Sequence, residues 1–203
     1  SLAGHAGKAF WFSKASGEFV TSNYYYDQYP EWVNVWNARE LASAYSGEAW
    51  QLTHPVEKYM LGDADDKAYE TDLAGFGRVF PHAYGKAGDK YFTTKLTLSP
   101  AGDELTLDFA KTLLDEEQLG QDDVPDYLSI SFSSTDYVGH IFGASSLETE
   151  DNLVRLDRTL ADLFAYVDKK VGLKNTLIVL SADHGQPEVP GYLNELGIDN
   201  AHH

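Results

Sequence analysis

The sequence predicts an α/β fold with a mostly parallel sheet, joined to an irregular α+β insertion. Three observations predict it. "DYLSISFSS" (Asp126 to Ser134) alternates Leu128, Ile130 and Phe132 with serines, the period of a strand. "NTLIVLSAD" (Asn175 to Asp183) is a continuous apolar run bounded by turn residues, as in a strand buried on both faces. Between them Leu153, Leu156, Leu160, Leu163, Phe164, Val167 and Val171 recur at helical spacing. Strand, long helix and strand make a βαβ unit, which implies a parallel pair and a right-handed crossover.

Around that unit, from the N-terminal side onward, other patterns are clear. "KAFWFSKASGEFVTS" (Lys8 to Ser22) sets two aromatic-rich runs around "SKASGE", a hairpin pattern. "PEWVNVWNARELASAY" (Pro30 to Tyr45) opens with Pro and Glu and places Trp32, Trp36, Leu41 and Tyr45 at roughly helical spacing. From Gly47 to about Leu96 the chain has no clean period, and long irregular stretches in compact domains are commonly lids or insertions. "DELTLDFAKTLLDEEQ" (Asp103 to Gln118) aligns Leu105, Phe109 and Leu113, a helix. Ser145 with Glu148 forms a capping box for the long helix, Lys169 and Lys170 lie in its last turn, and Gly172 stops it. The tryptophans Trp11, Trp32, Trp36 and Trp50 are expected in the core, given the area such rings bury.

Composition narrows the function. Among 203 residues, 32 Asp and Glu against 15 Lys and Arg leave a net charge of −17, so a nucleic-acid polymer or an anionic lipid surface would be repelled. No apolar run approaches the ~20 residues of a membrane span. Cysteine is absent, so any metal must take His and carboxylate ligands. Met60 is the single methionine and no signal segment opens the chain, so both ends are expected to be cuts.

Two Asp/His pairs stand at equivalent places. Asp136 and His140 come after the first predicted strand; Asp183 and His184 end the second. Ligands of open α/β sheets gather beyond the carboxyl ends of the strands, so both pairs should open onto one crevice. Gly139 and Gly185 are expected to relax the backbone there. Imidazole and carboxylate are zinc donors. A lone Asp at a strand end is otherwise a helix cap, but two matched pairs make that reading the weaker one. Other motifs fail. "GASSL" is no nucleophile elbow, "GFGRVF" has Phe80 where a dinucleotide fingerprint needs Gly, and "GDADD" lacks the spacing of a calcium loop.

"SSTDYVGH", "LDRTLADLF" and "ADHG" together resemble the alkaline phosphatase superfamily, in its bacterial PafA-type branch close to type I phosphodiesterases/nucleotide pyrophosphatases. The resemblance extends to "GHAGKAFWFSKASGEFVTSNYY" and "GDELTLDFAK". It implies an alkaline-phosphatase-like three-layer sandwich, present in part, with residues 1–203 as a partial catalytic domain. The hairpin, helix and insertion would occupy about 8–100, and the regular α/β core about 101–203. It also implies two zinc ions, one held by Asp136 and His140 and the other by Asp183 and His184, and hydrolysis of small phosphate esters through a phospho-Thr or phospho-Ser.

The nucleophile, an Asp sharing its zinc and a Lys/Arg phosphate clamp would lie upstream of Ser1. A third ligand for the Asp136/His140 zinc would lie in a downstream His-x-Gly-x-Pro segment. His202 and His203 are not recruited in its place. The chain is therefore expected to be an internal fragment, inactive alone, with zinc bound weakly or not at all and with a tendency to self-associate. The resemblance leaves open a phosphodiesterase or nucleotide pyrophosphatase. The residues alone leave open a non-catalytic acidic binding domain. Location outside the cytoplasm, periplasmic or secreted, is a family expectation.

Overall fold

The structure, a computed structural model, describes residues 6–198. Strands β1 (Trp11–Ser13) and β2 (Glu18–Val20) form the expected antiparallel hairpin, with Phe12 opposite Phe19. Its turn needs Gly17, which holds φ at +76° while its N–H donates to the Ser13 carbonyl over 2.8 Å. Helix α1 (Glu31–Ala38) starts after Pro30 and buries Val33 and Trp36. It ends sooner than the spacing predicts, because Glu40 takes a left-handed conformation and Leu41–Tyr45 continue as a 3₁₀ turn.

The core forms where these pieces meet α3 (Pro100–Glu116), which begins after Ser99 with Pro at its first position. Phe109 of α3 stacks on Phe19 with centroids 3.9 Å apart and meets Trp32 and Trp36 edge-on or tilted. Trp50, Phe92, Leu96, Val138 and Phe142 complete the cluster. Each such side chain contributes roughly 1.5–3 kcal/mol by leaving water. Trp36 and Trp50 are buried and Trp32 packs against the cluster, but Trp11 stays exposed.

The irregular stretch is ordered by contacts rather than by repeats. Strands β3 (Ala49–Trp50) and β4 (His82–Ala83) pair antiparallel, and α2 (Phe92–Thr97) comes next. Helix α4 (Ser134–Phe142) buries Val138, Ile141 and Phe142, and α5 (Leu147–Lys170) runs from there. The N-cap of α5 is Ser146, whose hydroxyl accepts the Thr149 N–H over 3.1 Å, so the cap falls one residue after the expected Ser145 and the Ser145–Glu148 capping box does not form. Glu148 turns inward instead and meets His82 Nε2 over 3.0 Å.

Two further acids of α5 grip the insertion. Glu150 accepts the Met60 and Leu61 N–H groups, each over 2.9 Å. Asp151 accepts from Trp50 Nε1 (2.6 Å), the Tyr59 hydroxyl (2.6 Å), the Thr53 N–H (2.7 Å) and Arg155 Nε (3.0 Å). Burial pushes the Asp151 carboxyl up, but the hydrogen bonds from Tyr59, Trp50 and Thr53 outweigh it and hold the group below its ordinary range.

The predicted strand runs Asp126–Ser134 and Asn175–Asp183 carry no ladder among the described residues, whose two sheets are both two-stranded and antiparallel. A parallel strand needs neighbours at its edges and helices on its faces, and none of the described residues supply them here. Leu177 is 90% and Val179 80% exposed. The apolar stripe of α5 shares that condition: Leu153 is exposed and Leu156, Leu160 and Leu163 are half-buried. Helix α6 (Pro190–Glu195) is the last element, and His202 and His203 lie outside the described residues.

Candidate functional site

Helix α4 is placed by two polar contacts at its start. The buried Asp103 carboxylate of α3 accepts the Ser134 N–H over 3.1 Å, and Asn152 of α5 donates to Thr135 Oγ1 over 2.8 Å. Burial pushes the Asp103 carboxyl up to about 6, against the opposing pull of the Ser134 donors. With Val138 and Phe142 sealed below, Asp136 and His140 stand one turn apart on the outer face, His140 Nε2 being 3.4 Å from Asp136 Oδ1.

The second pair arrives at the same point. His184 Nε2 lies 3.5 Å from Asp136 Oδ1 and 3.7 Å from Asp183 Oδ2. All four predicted residues are thus brought together, with Asp136 Oδ1 in the middle. The side chains of His140, Asp183 and His184 are largely exposed, yet Asp136 Oδ1 is itself shielded and accepts no hydrogen bond.

The His184 ring explains why that oxygen is left over. Its Nδ1 lies 2.9 Å from the Gly185 carbonyl, which can only accept, so Nδ1 carries the proton. In the neutral ring Nε2 then presents a lone pair to Asp136 Oδ1, and two acceptors face each other. A proton or a cation resolves that opposition. The hydrogen bond to Gly185, with the nearby Asp183 charge second, raises the His184 pKa accordingly. An imidazole whose second nitrogen is tied to a backbone carbonyl is also the usual arrangement of a metal-ligating His. The residues therefore fit a zinc-type donor set. Among the described residues no three or more His, Asp or Glu side chains close on a single ion.

Comparison with known proteins decides the family. The model for type I phosphodiesterase/nucleotide pyrophosphatase matches residues 3–203. The chain belongs to that family. Alkaline phosphatase PhoV of Synechococcus elongatus is 42% identical over 94% of the chain, and a protein named calcium-transporting ATPase from Myroides odoratus is 39% identical over the same share. The crystal structure of wild-type alkaline phosphatase PafA superposes with a TM-score of 0.83 at 36% identity, over 93% of this chain and 36% of that one. This likeness shows the alkaline-phosphatase-like α/β class expected from the sequence. The chain spans about a third of the length of these relatives, 35% of both PhoV and the Myroides protein.

Other features of this family member are not legible in the sequence. Gly139 does not relax the backbone as expected, since it lies within regular α4, and Gly185 likewise has no left-handed φ. What Gly139 provides is an absent side chain: a Cβ there would fall inside the Gln186 carboxamide. The partners Asp103 and Asn152 are separated from α4 by 31 and 17 residues and carry no local signature. His82 and Glu148 pair in the core, away from the water-facing site. Of the small residues beside Asp136, Ser134 is buried and Thr135 accepts from Asn152, which suits them to holding the helix.

Proposed function

We propose that the chain is the metal-binding part of a zinc-dependent phosphate-ester hydrolase, a phosphomonoesterase, in which Asp136 and His140 hold one zinc and Asp183 and His184 the other. The observation that carries it is Asp136 Oδ1, shielded and without a hydrogen bond, with two imidazole nitrogens 3.4 and 3.5 Å away. Bound there, zinc would supply Lewis acidity toward the phosphoryl group and the entering and departing oxygens. The chain's own residues divide the remaining work. Helix α4 presents Asp136 and His140 from a rigid support, and the Gly185 carbonyl keeps the His184 Nε2 lone pair directed inward. Transfer runs through a phospho-Thr or phospho-Ser on a residue outside this chain, with substrate a small phosphate ester. The likeness to alkaline phosphatases PhoV and PafA supports the monoesterase reading.

The second reading is a phosphodiesterase or nucleotide pyrophosphatase, favoured by the family description itself. The protein would work in the periplasm or outside the cell. Among the described residues no helix is long and apolar enough to cross a membrane. The exposed Leu177–Leu180 run would drive self-association of the isolated chain. The test is hydrolysis of 4-nitrophenyl phosphate and bis(4-nitrophenyl) phosphate by the zinc-reconstituted full-length protein carrying these residues. Faster monoester turnover, lost on Asp183→Ala, is expected. Faster diester turnover selects the second reading, and turnover of neither supports an acidic binding domain.

A further inference from the structure

The two Asp/His pairs reach each other by unequal means. Asp136 and His140 belong to α4, whose inner face is core. Asp183 and His184 end a run that is largely exposed and carries no ladder among the described residues. Their position relative to α4 must come from the chain after them. That chain lies along α4 and the turn beyond it. Gln186 Nε2 donates to the Asp136 carbonyl over 3.4 Å, Ser145 Oγ donates to Glu188 Oε1 over 2.6 Å, and Val189 packs where Gly143 leaves space. Gln186 is the first of these anchors after His184, and its carboxamide fills the space at Gly139, between Asp136 and His140 in the helix.

We infer that Gln186 seated on Gly139 is a positioning contact that sets the distance between the two Asp/His pairs. In this role Gln186 acts by holding the Asp183–His184 loop in register on the helix that carries Asp136 and His140. The inference rests on the zinc reading of the site. Gly139 is the unexpected choice for a helix interior, where alanine favours the helix more. Occupation of its bare face by Gln186 accounts for that choice.

The obstacle to a Cβ at Gly139 is the end of a flexible side chain, so Gly139→Ala should evict the carboxamide and leave α4 intact. The experiment measures zinc affinity of the full-length protein by competition with a chromophoric chelator, and melting temperature of the metal-free protein, for Gly139→Ala, Gln186→Ala and their combination. Each single change should weaken zinc binding on the order of tenfold, and the double change no further, since both remove one contact. The metal-free melting temperature of Gly139→Ala should stay level or rise. A purely structural role would lower it instead. Zinc affinity within twofold of wild type in both single variants would overturn the inference, as would losses that multiply in the double variant. Asp183→Ala serves as the control. If it weakens zinc binding while the Gly139 and Gln186 variants do not, the positioning contact alone fails. If it leaves zinc binding intact, the zinc reading fails and this inference with it.

Discussion

Asp136 and His140 ride on a helix whose Val138 and Phe142 are sealed into an aromatic core, whereas Asp183 and His184 ride on a segment secured chiefly by Gln186, Glu188 and Val189 on its C-terminal side. The same contrast runs through the whole molecule. Residues from Phe19 to Phe142, which include the stretch from Gly47 to about Leu96 that has no clean period in sequence, interlock through Phe19, Trp36, Trp50 and Phe109. The chain after α5, which reads as the more regular part, leaves Leu177 and Val179 in water. Regular patterning and dense packing are thus separable: a strand pattern states what a segment could bury, and a partner is needed before it does so.

The contrast can be broken most forcefully at its packed end. Trp36→Ala removes a ring that meets Phe19 and Phe109 edge-on and donates to Asp108 over 2.8 Å, and should cost about 3–5 kcal/mol in denaturant unfolding. Asp151→Ala comes next. It leaves Trp50, Tyr59 and Arg155 without their shared acceptor, and a loss of about 3 kcal/mol is expected, with the insertion loosening from α5 as increased protease cleavage near residues 50–60.

A smaller effect should appear only with pH. Glu70 is buried with Oε1 unpartnered, and its carboxyl is pushed up to about 8 by burial and then by the nearby Glu148. In the unfolded chain it titrates near ~4.3. The folded state therefore holds a proton that the unfolded state has lost, and the stability this confers is complete below about 4.3 and lost as pH rises through about 8. Glu70→Gln should match wild type in melting temperature at pH 4 and exceed it at pH 8. A constant gap would contradict the assignment. Least of all, Leu177→Ser at the exposed end should change stability by under ~0.5 kcal/mol while reducing concentration-dependent association in light scattering.

What can be read in the sequence are features whose cause is local. The hairpin around Gly17, helix α3 and helix α5 announce themselves through spacing, and the four metal-type residues through two short matched motifs. The capping box fails by one position because Ser145 and Ser146 both qualify chemically, and tertiary contact chooses: Glu148 is drawn to His82 across 66 residues, and Ser145 is free to bind Glu188. Asp103, Asn152 and Gln186 support the site through partners distant in sequence, so no spacing rule could select them. The strand runs rest on residue pattern alone, which cannot report whether neighbours stand beside them.

Asp136 is the meeting point of the two pairs, and the zinc reading depends on it. Metal analysis of the purified full-length protein and its Asp136→Ala variant tests that most directly. Two zinc ions per chain in the wild type, with clear loss in a folded variant, is the predicted result. A wild-type protein without zinc, or an Asp136→Ala variant that retains the full complement, would contradict it.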